Sequence, residues 1–124
     1  MTVDEATIAV IDALEALTIS YMLVGSYSSN YYGRQRVTNN ADFVVQLGSW
    51  KFSDLISRLG PGFRADPQMS FETATFTIRN VIELVGSTFA AELFHLSDDA
   101  HDQERFRRRG RVALLDREVW MPTA

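Results

Sequence analysis

The chain has 124 residues, which is enough for one hydrophobic core and too few for two. Apolar residues make up 46% and charged residues 23%, a globular balance that argues against an intrinsically disordered chain. The absence of cysteine excludes disulfide scaffolds, thiolate metal sites and cysteine nucleophiles. With a net charge of −4, the chain as a whole is not a polycation of the kind that coats nucleic acid.

The charges are unevenly distributed along the chain. Residues 1–104 carry 14 acidic and 6 basic side chains, whereas residues 105–124 carry 2 acidic and 6 basic ones. Five arginines lie between Arg105 and Arg111. Such a cluster is most often a solvated face that pairs with nearby acids, and it also suits docking onto an acidic surface. Nucleic-acid binding through it stays open, although the acidic remainder of the chain disfavours this function.

The sequence shows no targeting or membrane segment. Its first residues, MTVDEAT, carry two acids and no basic residue, which is not the pattern of a signal peptide. No apolar run approaches the roughly 20 residues that are needed to span a bilayer. We therefore expect a cytoplasmic protein with no membrane partner.

The amino terminus has the pattern of an amphipathic helix. Thr2 and Glu5 fit a capping box, in which each residue satisfies a backbone N–H near the other. Apolar residues behind this box recur at helical spacing, with acids on the other side. The pattern predicts a helix that reaches about Leu17.

Two strands are predicted next, with a short helix between them. The apolar run at 21–24 ends at Gly25, which indicates a buried strand leading into a turn. Residues 26–32 could form a short helix that ends at Gly33. A second strand, rich in β-branched and aromatic residues, is predicted at 42–47.

Helical and strand patterns alternate further along the chain. Ser49 can cap a helix whose apolar side chains recur at one face, and the Gly60-Pro61-Gly62 run ends that helix. Three more strands are predicted, separated by turns at Arg79-Asn80 and Gly86-Ser87: 74–78, 81–85 and 90–96.

The last predicted elements contain the arginine cluster. Ser97 or Asp98 can cap a short polar helix that runs into it, and weak strand patterns follow at 112–115 and 119–121. Helices first and then a run of strands predict an α+β fold. We expect a mixed β-sheet with helices packed mainly on one face.

The clearest chemical pattern lies between the first two predicted strands. Gly25-Ser26, between a strand and a helix, offers backbone N–H groups and a hydroxyl, which suit phosphate oxygens. Arg36 is close enough in sequence to add a bidentate cation. Asn40 and Asp42 lie two residues apart on a strand, so their side chains project to one face. Paired oxygen ligands at this spacing can share one or two Mg²⁺ ions.

This segment, from Tyr21 to Val45, reads YMLVGSYSSNYYGRQRVTNNADFVV. It resembles the signature of the nucleotidyltransferase superfamily, the polymerase-β-like fold, in its small bacterial branch. That signature is a strand, Gly-(Gly/Ser), a helix, a turn with glycine, and Arg-x-Thr-x-Asp-x-Asp on the next strand. The spacing agrees throughout. The departure is Asn40, which stands where the first metal-binding carboxylate is expected.

A later segment resembles another strand and helix of the same branch. The sequence AELFHLSDD begins at residue 91 and is followed by the arginine cluster. Glu92 stands where a carboxylate, usually Asp, completes the family's metal-binding triad. The resemblance covers roughly residues 10 to 122. It implies a single nucleotidyltransferase-like domain over 1–124, in which a C-terminal helical extension could be missing.

The resemblance implies a role for each matching residue. Four residues would bind the nucleoside triphosphate or support its loop: Gly25, Ser26, Arg36 and Thr38. Three side chains would hold Mg²⁺: Asn40, Asp42 and Glu92. Asp42 and Glu92 would be the catalytic residues, with Glu92 activating an acceptor hydroxyl. The implied reaction is attack of that hydroxyl on the α-phosphorus, with pyrophosphate leaving.

The departures from the family pattern leave the enzyme activity open. Asn40 removes one negative charge from a site that must hold cations, and Glu92 is one methylene longer than Asp. The alternative is a non-catalytic nucleotide- or protein-binding module, antitoxin-like or regulatory, that keeps the fold. A chance match in an unrelated α+β domain would leave Ser26, Asp42 and Glu92 more than about 12 Å apart, too far for a two-metal site.

Ordinary structural roles compete with these functional ones. Asp42 by itself could be a solvated residue at the edge of a strand. Glu92, among apolar neighbours, fits an ion pair as well as a catalytic site. His95 and His101 are six residues apart without a third ligand at metal spacing, which does not favour a zinc site.

Overall fold

The structure is a computed structural model, and it describes residues 1–25, 40–66, 70–72, 77–114 and 116–123. Within these residues the helices are α1 (Val3–Ala16), α2 (Phe52–Leu59) and α3 (Ala100–Arg107). The strands are β1 (Ser20–Val24), β2 (Asn40–Gln46), β3 (Phe63–Ala65), β4 (Ser70–Glu72), β5 (Thr77–Leu84), β6 (Ala90–His95), β7 (Gly110–Leu114) and β8 (Arg117–Met121). The predicted helix at 26–32 lies outside the described residues.

The main sheet is mixed, as the sequence predicts. Its strand order is β1-β2-β6-β5-β3, and β4 pairs with the opposite end of β5 from β3. β2 and β6 are parallel, whereas the other paired strands of this sheet are antiparallel. β7 and β8 form a separate antiparallel hairpin. The prediction of an α+β fold with a mixed sheet is therefore confirmed.

The two faces of the sheet differ in burial because side chains alternate along each strand. On β2, Phe43 and its two alternate neighbours, Ala41 and Val45, are fully buried under α1 and α2, and we call this side the core face. Asp42 and Val44 point to the opposite side, the outer face, and are half-buried. The helices at 3–16 and 52–59 thus pack on one face and leave Asp42 and Val44 half-buried on the other.

The amino-terminal helix begins with the predicted capping box. Thr2 Oγ1 accepts a hydrogen bond from the backbone N–H of Glu5, and Glu5 Oε1 accepts one from Thr2, at 3.1 and 2.7 Å. The buried apolar residues of this helix belong to the main hydrophobic cluster: Ala6, Val10, Ile11, Ala13 and Leu14. The helix ends one residue before the predicted limit at Leu17, which is its C-cap.

The strand at 77–84 corrects one prediction. Arg79-Asn80 is not a turn, because β5 runs through both residues without interruption. Asn80 is 9% exposed on the core face, and its Oδ1 lies 2.6 Å from His95 Nε2. This hydrogen bond lets a polar residue remain inside the sheet, where a propensity argument places a turn.

Two helix caps also differ from their predictions. α2 begins after Lys51 rather than after Ser49, because the carboxylate of Asp54 accepts a hydrogen bond from the Lys51 N–H at 2.8 Å. The N-cap of α3 is Asp99, and its Oδ2 accepts from two backbone N–H groups at 3.0 and 3.2 Å. Ser97 instead donates a hydrogen bond to Asp102, inside the helix. The three-residue strands β3 and β4 were not among the predicted elements.

The carboxy-terminal hairpin closes the core beside β1. Val119 and Met121 of β8 are buried in the main hydrophobic cluster. Arg111 Nη1 lies 3.1 Å from Glu15 Oε2 on α1, and that same oxygen accepts a hydrogen bond from Tyr21 Oη at 2.8 Å. The guanidinium of Arg109 lies over the Trp120 ring at 4.7 Å. Polar and cation–π contacts thus hold the hairpin against the rest of the domain.

None of the helices that the structure describes is long and apolar enough to cross a membrane.

The packing predicts that Phe43→Ala destabilises the domain by about 3–5 kcal/mol, because it removes a fully buried ring from the centre of the sheet. This ring also makes an edge-to-face contact with Tyr21, at a centroid distance of 6.1 Å. Urea denaturation measures the change in the free energy of unfolding. The control is Val85→Ala, at a residue that is 53% exposed, which we expect to change stability by less than about 0.5 kcal/mol. Equal effects of the two substitutions would contradict this description of the core.

Candidate functional site

Two carboxylates meet on the outer face of the sheet. Asp42 of β2 and Glu92 of β6 are direct partners in the parallel register, so their backbones are about 4.8 Å apart. Both side chains are half-buried. Asp42 is therefore not a solvated residue at a sheet edge, because β2 lies between β1 and β6. The structure brings together the two acids that the sequence resemblance names as catalytic.

An arginine from the next strand binds one of these acids. Arg79 Nη1 lies 2.5 Å from Glu92 Oε1, and the two side chains are 32% and 23% exposed. Arg79 reaches Glu92 because the antiparallel register places it diagonally across β5 and β6, opposite Phe94. The charge-assisted hydrogen bond fixes the position of the Glu92 carboxylate. Glu92 therefore forms an ion pair, which was the structural alternative to a catalytic role for this residue.

The pKa of Asp42 is raised to about 6. Burial is the largest cause, followed by a hydrogen bond with Glu92 and the negative charge of that side chain, while the Arg79 cation partly opposes the shift. Within the described part of the chain, Asp42 Oδ1 is buried and has no hydrogen-bond partner. The site thus contains a carboxyl group whose pKa is raised well above its usual range and which has one oxygen left for a ligand.

Gly25 packs directly on this carboxyl group. It follows β1 with φ of +69°, a left-handed conformation that L-residues with a side chain rarely adopt. A Cβ atom at this position would overlap Asp42 Oδ2 and lie 3.2 Å from Asp42 Cγ. Both the backbone conformation and the space therefore require glycine at the position that the sequence assigns to phosphate binding.

The remaining predicted site residues divide into two groups. Asn40 lies two residues from Asp42 on β2, exposed and on the same face, as the spacing predicts. Three residues assigned to nucleotide binding lie outside the described residues: Ser26, Arg36 and Thr38. The structure therefore joins Gly25, Asn40, Asp42 and Glu92 in one region, and the roles of these residues stay predictions.

The donor set fits one Mg²⁺ ion better than two. In the described ranges, no three His, Asp or Glu side chains cluster as a metal site. Mg²⁺ is commonly held by one or two carboxylates together with water and substrate phosphates. Asp42, with its orphaned Oδ1, and Glu92 meet that need, and the amide oxygen of Asn40 can add a neutral ligand. A second ion would compete with Arg79 for the same Glu92 carboxylate.

Arg79 was missed by the sequence reasoning, which placed it in a turn. The available signal was the alternation that follows it, with Asn80, Ile82 and Leu84 on the core face. That alternation indicates a strand, in which Arg79 and Glu83 share the outer face. Which acid Arg79 contacts depends on strand pairing, and no local pattern contains that information.

The other charged features have ordinary structural roles. The half-buried His95 ring is hydrogen-bonded to Asn80, and partial burial lowers the pKa of His95. In the arginine cluster, Arg107 and Arg108 both contact Glu104, at 2.5 and 3.7 Å. These pairs agree with a solvated face.

Two solved structures have a similar fold. One is a protein of H. pylori described as a candidate nucleotidyltransferase, with a TM-score of 0.51 and 12% sequence identity; it matches 98% of this chain and 52% of its own length. The other is JHP933 from Helicobacter pylori, with a TM-score of 0.52 and 12% identity over 96% of this chain and 50% of that protein. The chain has a nucleotidyltransferase-like fold. It spans about half the length of these two proteins.

The comparison rests on structure alone. Neither a protein-family profile nor a curated protein sequence matches the chain. At 12% identity, the two solved structures establish the arrangement of the strands and helices and carry no information about activity. Within the nucleotidyltransferase-like fold, the chemistry of this chain therefore depends on the contacts of Asp42, Glu92 and Arg79.

Gly25→Ala is expected to destabilise the protein more than Gly48→Ala does. Both glycines have positive φ, at +69° and +63°, so alanine at either costs about 1–3 kcal/mol of backbone strain. Only Gly25 also faces a steric clash, since nothing lies within 4 Å of a Cβ at Gly48. We expect at least about 2 kcal/mol more destabilisation for Gly25→Ala, measured by urea denaturation. Equal losses would show that Gly25 does not pack on Asp42.

Asp42→Asn is expected to stabilise the protein at neutral pH. Because the folded-state pKa is raised from 3.8 to about 6, the folded state binds the proton more tightly than the unfolded chain. The stability of the wild type therefore falls as the pH rises from about 4 to about 6. Asparagine mimics the protonated carboxyl, so the variant should gain about 2 kcal/mol relative to the wild type at about pH 7.

Urea denaturation in the presence of a chelator at several pH values measures this difference. The control is Asp98→Asn, at an exposed carboxylate on the loop before α3. A stability difference between Asp42→Asn and the wild type that does not change with pH would contradict the raised pKa.

Proposed function

We propose that this protein transfers a nucleoside monophosphate from a nucleoside triphosphate to a hydroxyl acceptor in a Mg²⁺-dependent reaction. The observation that carries the proposal is the Asp42–Glu92 carboxylate pair beside Gly25, on the outer face of a nucleotidyltransferase-like fold. Negatively charged oxygens at that place suit a cation, and the cation suits phosphate.

The proposed nucleotide site uses both the described residues and the segment after β1. The backbone at Gly25 and Ser26 binds the triphosphate, and Arg36 and Thr38 support that loop. Asn40, Asp42 and Glu92 hold Mg²⁺. The bound ion neutralises the negative charge that develops on the phosphate oxygens during transfer.

In the proposed reaction, Glu92 and Arg79 activate the acceptor hydroxyl. The acceptor oxygen forms a bond to the α-phosphorus, the bond from that phosphorus to the bridging oxygen of the β-phosphate breaks, and pyrophosphate leaves. The carboxylate of Glu92 accepts the hydroxyl proton. Arg79 holds this carboxylate at a fixed position, which matters because a displacement of about 1 Å is costly in such a reaction.

The ion pair between Arg79 and Glu92 also favours a second function. Arg79 already neutralises Glu92, and Asn40 supplies an amide in place of a carboxylate, so the site has less negative charge than a two-metal reaction requires. These features support a non-catalytic module that binds a nucleotide or a protein, in an antitoxin-like or regulatory role. In this second function, Asp42→Ala would leave protein binding intact.

Calorimetric titration with each of the four ribonucleoside triphosphates tests the leading proposal. We expect binding of at least one of them only in the presence of Mg²⁺, with an affinity that falls at least about tenfold in Asp42→Asn and is unchanged in Asp98→Asn. Asn40→Asp should strengthen binding, because it adds a negative ligand. The absence of heat with all four triphosphates would refute nucleotide binding.

Catalysis is measured separately with the α-³²P-labelled form of the triphosphate that binds. Release of pyrophosphate and transfer of label, both lost in Glu92→Gln, would support the enzyme. Binding without Mg²⁺ and without any release of pyrophosphate would favour the binding module.

A further inference from the structure

A pocket opens on the outer face beside the carboxylate pair. It has a volume of about 260 Å³, and its floor is formed by Met22, Val44 and Phe94. These three residues lie side by side on β1, β2 and β6, because the register pairs Met22 with Val44 and Val44 with Phe94. The floor is therefore apolar, with one aromatic ring, and is built on three adjacent strands. Met22 is only 2% exposed, so Val44 and Phe94 supply most of its accessible surface.

The rim of this pocket is polar. It is formed by Ser97, Asp102 and Arg105, from the loop after β6 and from α3. Ser97 Oγ donates a hydrogen bond to Asp102 Oδ2 at 2.7 Å, which fixes the carboxylate at the pocket. Arg105 is exposed and makes no hydrogen bond or ion pair within the described part of the chain. A carboxylate and a guanidinium thus stand beside an apolar floor, with one acceptor and one donor available to a ligand.

The pocket is aligned with the proposed site of chemistry. Val44 and Phe94 each lie two residues along their strands from Asp42 and Glu92, a distance of roughly 7 Å. Gly25 lies on the other side of Asp42, because Val24 is the strand partner of Asp42 and β1 ends there. Along the strands the order is therefore Gly25, the carboxylate pair and then the pocket.

We propose that this pocket binds a nucleobase. An apolar floor with an aromatic ring suits the face of a heteroaromatic ring, and the rim carboxylate and guanidinium suit the hydrogen-bonding groups at its edge. The proposal rests on the proposed function for its position: with phosphates at Gly25 and the α-phosphorus at the carboxylate pair, one ribose spans the remaining distance to the pocket. The base belongs either to the triphosphate itself or to a nucleoside acceptor.

Nucleosides without phosphate test the pocket apart from the metal site. The probes are adenosine and cytidine, observed through the methyl resonance of Met22, one of only four methionines in the chain. This signal is assigned with Met22→Leu. A stacked base should shift the resonance through its ring current, and Val44→Phe, which fills the pocket, should weaken nucleoside binding at least about tenfold.

Two further variants test the contribution of the rim and provide a control outside the pocket. Arg105→Met removes the rim cation at an exposed position and should weaken binding severalfold without loss of stability. Val85→Phe adds the same ring as Val44→Phe at an exposed site outside the pocket and should leave binding unchanged. If neither nucleoside shifts the Met22 resonance of the wild type, the proposal is wrong.

Saturating Mg²⁺-ATP then distinguishes the two sources of the base. Loss of the adenosine-induced shift assigns the pocket to the base of the triphosphate, whereas adenosine binding alongside ATP assigns it to an acceptor. Mg²⁺-tripolyphosphate separates this inference from the proposed function. If tripolyphosphate binds and nucleosides do not, only the pocket proposal fails; if nucleosides bind and neither tripolyphosphate nor ATP does, only the proposed nucleotidyl transfer fails.

Discussion

The parallel pairing of β2 with β6 is the constraint on which the rest of the structure depends. This register joins Asp42 to Glu92 across 50 positions of sequence, and it also pairs Phe43 with Leu93 in the core and Val44 with Phe94 on the outer face. Two parallel strands cannot be joined by a short hairpin, so the intervening chain must cross over the sheet. That chain supplies α2 on the core face and β5, which lies on the far side of β6.

The same pairing creates an electrostatic problem that β5 partly solves. Two half-buried carboxylates on adjacent strands repel each other, and burial adds to the free energy of ionising both. Arg79 neutralises Glu92 directly, whereas the pKa of Asp42 is raised to about 6. The folded state therefore retains one uncompensated carboxyl group, and an orphaned buried oxygen of this kind is costly unless it binds something. The proposed function gives this oxygen a metal ion.

The sequence predicted most elements of the nucleotidyltransferase-like fold because their signals are local. The capping box at Thr2 predicts the first helix, and the apolar run before Gly25 predicts the first strand, without any information from distant residues. Resemblance to a known signature also anticipated the neighbourhood of Asp42 and Glu92, which no local pattern could supply. β3 and β4 are only three residues long, too short for a periodic pattern to be visible. Arg79 and the pocket floor escaped prediction because each depends on the register between strands that are distant in sequence.

Two features reduce the negative charge of the site, one visible in the sequence and one in the structure. Asn40 removes a negative charge from the expected set of three carboxylates, and Arg79 adds a positive one beside Glu92. Both changes act in the same direction, since they lower the charge available to hold cations. A fixed guanidinium can nevertheless neutralise phosphate oxygens without a metal, as arginines do in other phosphoryl-transfer sites. In the proposed reaction a single Mg²⁺ at Asp42 would then suffice, with Arg79 carrying part of the charge that a second ion would otherwise balance.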